Sequence, residues 1–536
     1  VYYYQVGDGG LDHGWWGPAE AMTMNRPAYK VTKDAPGSTV VAESAASLAA
    51  CSIVFADTDE AYSKKCLEHA IALYDFAEST KSDVGYTVAN GFYNSWSGFN
   101  DELSWAATWL YMATKDEKYL EKADKYFDLS VGNYKWAQCW DDVYVGSALL
   151  LTQITDEDKY KSKVEKNLDY WTTGVDGEQI TYTPKGLAWL DQWGSLRYAT
   201  TQAFIGATYS EYKGCSKEKQ KIYMDFAVNQ VNYALGSSGR SYVVGFGENS
   251  PSHPHHRTSQ GSWTNSIQDP VDPRHILFGA LVGGPDSSDG YTDEVGNYVN
   301  NEVACDYNAG YTCALAKLYG IYHGKTLVNF GAVENVGDEL YIEAGINASG
   351  ADFIEIKGVV YNKSSWPARI TDNLTLAYFF DLSEVIEGGG SASDIQITTN
   401  YMQGGQVGEV KQWKDNIYYV TIDFSGEKIC PGGQDSYKRE VQFRIASSKG
   451  VWNNENDPSY QGLAGSGGGS LVDGENLALY EGETLVYGET PNGSGQMDTS
   501  SEEPTQTNTD NSDAASTKED VAEDNSTQEN TAQTTS

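Results

Sequence analysis

From residue 39 to about 240, apolar side chains recur at steps of three and four, most clearly over 42–55, 66–76, 103–112, 143–154 and 203–212. That period puts them on one face of a helix. Between the apolar runs a polar corner returns: Ala56-Asp-Thr-Asp-Glu, Ala113-Thr-Lys-Asp-Glu, Thr155-Asp-Glu-Asp-Lys and Gly214-Cys-Ser-Lys-Glu. The Asp and Ser side chains of such corners are suited to cap the helix that follows. Helical hairpins returning every few tens of residues predict a toroid or solenoid. After about Lys325 the period shortens to two, over 339–344, 353–361, 374–380, 418–424, 440–446 and 477–480, with Gly, Asn and Asp turns between. This predicts antiparallel strands packed as a β-sandwich. From about Asn492 the chain is Ser, Thr, Asn, Gln, Asp and Glu with almost nothing apolar. Such a segment cannot bury a core and is expected to be a disordered linker.

Charge and composition narrow the partners. The 536 residues carry a net charge of −38, which repels nucleic acid and anionic lipid and leaves a neutral polymer as a compatible partner. No apolar run reads as membrane-spanning. Aromatic residues make up 12%, with 14 Trp and 38 Tyr; beyond core packing, that supply can line a cleft whose rings stack on the C–H faces of sugars. Seven widely spaced cysteines, an odd number with no Cys-x-x-Cys pair, exclude a complete disulfide framework and favour buried thiols. The chain opens at Val1, without Met and within what reads as a structured motif. It is therefore expected to be a piece whose beginning lies upstream, and the lack of a signal peptide says nothing about secretion.

Two stretches concentrate the chemistry. One is Ser241-Tyr-Val-Val-Gly-Phe-Gly-Glu-Asn-Ser-Pro-Ser-His-Pro-His-His-Arg257; the other is Tyr291-Thr-Asp-Glu-Val-Gly-Asn-Tyr-Val-Asn-Asn-Glu-Val-Ala-Cys-Asp-Tyr-Asn-Ala309. Together they resemble the two signature regions of family 9 glycoside hydrolases, which are mostly cellulases. The run Asn362-Lys-Ser-Ser-Trp-Pro-Ala-Arg-Ile-Thr-Asp-Asn-Leu-Thr-Leu-Ala-Tyr-Phe-Phe-Asp-Leu-Ser383 resembles family 3 carbohydrate-binding modules, nearest to the subtype c fused behind family 9 catalytic domains. The implied architecture is multidomain. It has an all-α (α/α)6 barrel over 1–325, incomplete at the N-terminus, an all-β sandwich over 326–489, and a disordered Ser/Thr/acidic linker over 490–536. Roughly ten helical segments through Gly324, against twelve in a full barrel, accord with a missing N-terminal hairpin.

The resemblance implies a site. Glu302 takes the place of the general acid, just ahead of a helix expected to start near Asn308. A proton donor to a glycosidic oxygen must stay protonated near neutral pH, which burial or a neighbouring carboxylate favours. Asp293, His255 and Arg257 fall on the family's catalytic regions, and Arg257 is able to fork two hydrogen bonds to sugar hydroxyls. A zinc reading of His253-Pro-His255-His256 matches no common ligand spacing. Sugar contacts are implied for His13, Trp16, Phe92, Tyr93, Trp96, Trp136, Trp193, Arg197 and Tyr307. Ser97, Gly98, Asp101, Glu102 and Asp141 resemble a structural Ca²⁺ site, hard oxygens being what that ion takes; alternatively Asp101 caps the next helix. A second Ca²⁺ site is implied near Asp381, Asn453, Asn456 and Asp457 of the β module.

Glycosidases of this kind use two carboxylates. The family's base lies in an Asp-Ala-Gly-Asp stretch, which residues 1–536 do not contain; it is expected upstream. The expected activity is that of a secreted, inverting endo-β-1,4-glucanase acting on cellulose or a related β-glucan, with structural Ca²⁺ and no organic cofactor. Nucleic acid and membrane are not expected as partners; a further module or scaffold attachment beyond Ser536 is. Xyloglucan and mixed-linkage β-glucan remain alternative substrates, and a glucan-binding protein with a degenerate barrel is the alternative of another class.

Overall fold

The computed structural model describes residues 1–327, 330, 334, 336–463, 470–491 and 493. Nine long helices lie among them. Ser38–Val54, Asn100–Thr114, Tyr144–Thr155, Ser195–Ser210 and Cys305–Tyr322 contact one another in turn and form an inner layer. Glu60–Thr80, Glu117–Leu129, Asp158–Trp171 and Lys217–Asn232 pair with them as the outer layer. The inner helix Ser38–Val54 buries Val41, Ala42, Ala45, Ala46 and Ala49 as one stripe. Small side chains at that seam let neighbouring helices approach closely. This helix, through Phe55, is long and apolar enough to cross a membrane, contrary to the expectation from sequence. Here the apolar stripe is part of the helical core instead.

The polar corners behave as their chemistry suggests, with one exception. Asp59 accepts from the Tyr62 backbone N–H, Asp116 from Lys118 and Ser216 from Lys219, satisfying N–H groups that a helix start leaves free. In the third corner Glu157 makes no capping bond, and Asp156 instead ends the preceding helix in a left-handed conformation, φ 60°. These corners are all short. The connections at the opposite end, 81–99, 130–143, 172–194 and 233–304, are long. One mouth of the helical layer is therefore built from long loops and the first turns of the inner helices, and the other is sealed by tight turns.

The module after residue 340 is an antiparallel sandwich. One sheet orders Val472–Asp473, Leu340–Ser349, Phe353–Asn362, Lys438–Ser447 and Ile395–Met402; the other orders Lys411–Lys414, Ile417–Asp423, Leu374–Asp381, Ala478–Glu481 and Thr484–Tyr487, with Gln406–Val407 beside Ile417–Asp423. Leu374, Leu376, Tyr378 and Phe380 face Ile342, Ile354, Ile356 and Val360 across the core. Ile395–Met402 escaped the sequence reading because it is an edge strand with mostly exposed side chains, so its alternation is weak. The sandwich is docked on the helical domain: Gly432 N donates to Trp263 O at 2.8 Å, and His275 Nε2 lies 2.7 Å from Ser365 Oγ. The expected linker, 490–536, falls almost wholly outside the described residues.

Of the cysteines, Cys66 and Cys215 are buried, Cys51, Cys139 and Cys430 are partly so, and Cys305 and Cys313 are exposed. The last two break the expectation of buried thiols because they lie two turns apart on the outward face of Cys305–Tyr322.

Candidate active site

Glu302 follows the short helix Tyr298–Asn301 and precedes Cys305–Tyr322, which starts three residues earlier than expected, with Ala304 as its cap. The two signature stretches meet here. His255 N donates to Asn301 O at 2.8 Å, and His255 and Glu302 form a parallel bridge. The buried Asn301 amide ties down its own loop by donating to Thr292 O and Glu294 O. Asn308 does the same toward Leu281 through both ends of its amide. Much of the second stretch thus shapes the loop that presents Glu302.

Tyr307, in the first turn of that helix, donates from its phenol to Glu302 Oε2 at 3.0 Å. Burial first, and the nearby Glu302 charge second, push the Tyr307 phenol far above its ordinary range, so it stays a donor. Arg197 Nη1 donates to Asp306 Oδ2 at 2.6 Å, and its guanidinium lies 4.5 Å from the Tyr307 ring and 4.4 Å from the Tyr198 ring. The Arg197 Nε has no hydrogen-bond partner.

Glu302, Tyr307 and Arg197 line one cavity of about 470 Å³ with His13, Phe92, Tyr93 and Trp193. Seven of the residues implied by the resemblance are therefore gathered together. Trp96 and Trp136 line an adjoining cavity of about 450 Å³. Trp140 and Tyr198 line both, making one groove across the loop mouth. The groove rings are open to solvent, Trp96 by 76% and Phe92, Tyr93 and Trp193 by 43–46%. Exposed rings in a row are costly for stability and suited to stacking on a ligand. Trp140 and Tyr198 were not singled out from sequence. Trp140 lies within Cys139-Trp-Asp-Asp142, and its edge contact with Tyr93 at 5.2 Å is a tertiary fact that spacing does not show.

Four residues, Trp16, Arg257, Asp293 and His255, line neither cavity. Trp16 is 8% exposed and lines neither cavity; its indole N–H donates to Gln260, and its ring lies against His255 and under Arg257. It supports the two signature residues from behind. Arg257 donates from Nε to Trp15 O at 2.7 Å and from Nη2 to His13 O at 3.3 Å, so much of its fork is engaged by backbone instead of being free for a sugar. Asp293 accepts from Ser252 N and Oγ, both at 2.9 Å, and from His253 N at 3.1 Å. It clamps the turn before His255 and lines neither cavity. His255 donates from Nδ1 to Val295 O at 2.6 Å. Burial, followed by Arg257, brings its pKa below 6.5, leaving a neutral ring with Nε2 as acceptor. His256 caps the next short helix by accepting from Ser259 N.

The acidic set near the groove is buried: Asp101, Glu102 and Asp141 are at most 6% exposed. Asp101 does not cap its helix, whose cap is Phe99; it accepts from Val143 N instead. One oxygen of Asp101, both of Glu102 and one of Glu43 lack a hydrogen-bond partner. Buried carboxylate oxygens left unpaired are costly, and a bound cation would satisfy them. Among the described residues no three His, Cys, Asp or Glu side chains converge as a ready-made cage, so a Ca²⁺ would also draw on the Ser97 and Gly98 oxygens. In the β module, Asp457 is fully buried, and its Oδ2 and Asn456 Oδ1 are unpaired. Asp457 Oδ1 accepts from Asp381 N at 2.8 Å, which brings these residues together, while Asn453 caps the turn beside them.

Residues 1–315 match the family model for Glycosyl hydrolase family 9, and residues 341–488 match that for Cellulose binding domain. Endoglucanase A of Bacillus pumilus is 44% identical over 506 residues, spanning 91% of this chain and 76% of the relative. Endoglucanase B of Cellulomonas fimi is 44% identical over 506 residues, spanning 92% of this chain and 48% of the relative. The crystal structure of endoglucanase CelQ from Clostridium thermocellum complexed with cellotetraose superposes with a TM-score of 0.86 at 44% identity, over 91% of this chain and 82% of that one. With matched signature regions, a shared helical architecture and the same sandwich behind it, the chain belongs to glycosyl hydrolase family 9.

Proposed function

We propose that Glu302 protonates the leaving glycosidic oxygen of a β-1,4-glucan chain lying in the aromatic groove. The protein is an endo-1,4-β-glucanase of an inverting family, as its relatives and its family are. The observation that carries the assignment of the acid is the pairing of Glu302 with Tyr307 on the wall of the groove. The phenol fixes one carboxyl oxygen and leaves the other to meet a glycosidic oxygen. Trp193, Phe92, Tyr93 and, farther along, Trp96 offer faces for successive glucosyl rings. Inversion needs a second carboxylate to activate water on the opposite face of the sugar. Asp12 also lines the cavity, but both Arg26 terminal nitrogens bind it. Both of its oxygens are thus engaged by the guanidinium, so the base is not assigned to Asp12.

Structural Ca²⁺ is part of the proposal. Asp101, Glu102 and Asp141 would hold one ion with Ser97 and Gly98, and Asp381, Asn456 and Asp457 a second. Each supplies hard oxygens and stabilises loops without entering the reaction. Action on an insoluble polymer implies work outside the cell, and the β module, docked beside the groove, would meet the same glucan.

Replacing Glu302 by Gln in the whole enzyme tests the acid. Reducing ends released from carboxymethyl cellulose are expected to fall by about 10²–10⁴-fold. Aryl glycosides with good leaving groups, which need little protonation, should lose far less. An unchanged rate on the polymer would refute the role.

A further inference from the structure

The strand-rich module touches the segment that carries His13 through a glycine. Gly432 lies in its Cys430–Gly433 loop, with φ +109°, a backbone state that side chains oppose. Its N–H donates to Trp263 O of the helical domain at 2.8 Å. A Cβ built on Gly432 would come within 2.9 Å of the Trp15 indole and 3.3 Å of Pro18 Cδ, and one built on Gly17 would come within 2.8 Å of Gly432 Cα. Two glycines from different domains thus meet backbone to backbone, with the Trp15 indole seated on both.

That contact leads into the site. Trp15 O receives Arg257 Nε, and His13 O receives Arg257 Nη2. Gly17 N donates to Asn265 Oδ1 at 2.9 Å, and the Trp16 backbone N–H shares that acceptor. Trp16 in turn packs on His255 at 4.9 Å, and His13 stacks on Phe92 at 4.6 Å within the cavity. The segment 12–17 is therefore a bracket: one end carries His13 in the groove, its carbonyls hold Arg257, and its far side rests on Gly432.

We infer that Gly432 is a positioning residue for sugar binding, acting through its contact with the Trp15–Gly17 segment. The inference builds on the groove being the glucan site, but not on Glu302 being the acid. A side chain at Gly432 would push the Trp15–Gly17 bracket away from its seat. His13 and Arg257 would move with it, and a shift of about 1 Å is enough to matter for a polar site.

The test uses the full chain in a Glu302→Gln background, so that the sugar is not consumed, and measures cellotetraose affinity by calorimetry. A soluble four-sugar ligand is used so that adsorption of polymer by the module does not enter the reading. Gly432→Val is expected to weaken binding about tenfold with the circular-dichroism spectrum retained. Trp15→Ala, which removes the seat from the opposite side and leaves its carbonyl in place, is expected to weaken binding in the same direction. Ser365→Ala cuts a different contact between the domains, that with His275, and should bind as the parent does. Parent-like affinity in both Gly432→Val and Trp15→Ala would overturn the inference. So would an equal loss in Ser365→Ala, which would make module docking in general, and not this contact, the cause. Neither result bears on the Glu302→Gln rate measurement, so the two assignments fail separately.

Discussion

Tyr307 donates its phenolic hydrogen to Glu302 Oε2 across 3.0 Å, from the first turn of the helix that Glu302 precedes. The bond orients the carboxyl group. Tyr307→Phe keeps the ring against Arg197 and removes only the donor. We expect kcat on soluble glucan to fall roughly tenfold with KM little changed, read from initial rates. A KM rise at constant kcat would show that Tyr307 binds sugar instead of orienting the acid.

Inversion has a direct signature. The first product released from a β-glucan by the whole enzyme should be the α-anomer, seen by proton NMR before mutarotation. Early β-anomer would indicate a retaining route and a different pairing of carboxylates.

Calcium should be measurable as stability. The unpaired oxygens of Asp101, Glu102 and Asp457 are buried, and an ion that binds only the folded state stabilises it by mass action. Chelation should lower the melting temperature by several degrees or more, and added Ca²⁺ should restore it. Asp101→Asn should blunt the response. A melting curve indifferent to chelator, with no Ca²⁺ by elemental analysis, would count against both sites.

His255 should make stability depend on pH. Its folded pKa lies below 6.5 because it is buried, with Arg257 adding a like charge. The unfolded chain therefore takes up the proton first as pH falls. The stability contribution is whole above about 6.5 and is lost on acidification towards the folded value. Between pH 7 and pH 5 the parent's melting temperature should drop more than that of His255→Asn. Parallel curves would show that the imidazole is not held neutral by the fold.

The β module should grip crystalline cellulose weakly when isolated. Its rings Tyr341, Tyr361 and Tyr437 gather round Lys363 Nζ at 5.2–5.9 Å and do not form an open strip. Removing residues 326–489 should lower the melting temperature and shift hydrolysis of filter paper towards scattered cuts, with more insoluble reducing ends. An unchanged ratio of soluble to insoluble ends and an unchanged melting temperature would make the module an independent passenger.

The sequence by itself determined most of the long elements and their order. The step of three to four along 42–55 or 203–212 reports a buried helix face because packing selects side chains locally, and the capping Asp59, Asp116 and Ser216 act within one turn of their own positions. The signature stretches likewise marked Glu302, His255 and Arg257, since each lies within a short run of linked residues. Only the tertiary structure decided what those side chains do. Asp293 and Trp16 have the chemistry of site residues, but one clamps a turn and the other is buried behind Arg257. Trp140 and Tyr198 joined the groove through ring contacts with Tyr93 and Trp136, which lie far from them in the chain, and Asp306 holds Arg197 of its wall. The seat of Trp15 on Gly432 spans more than four hundred residues. Such contacts depend on where separate helices and sheets come to rest, and no local period or spacing carries that information.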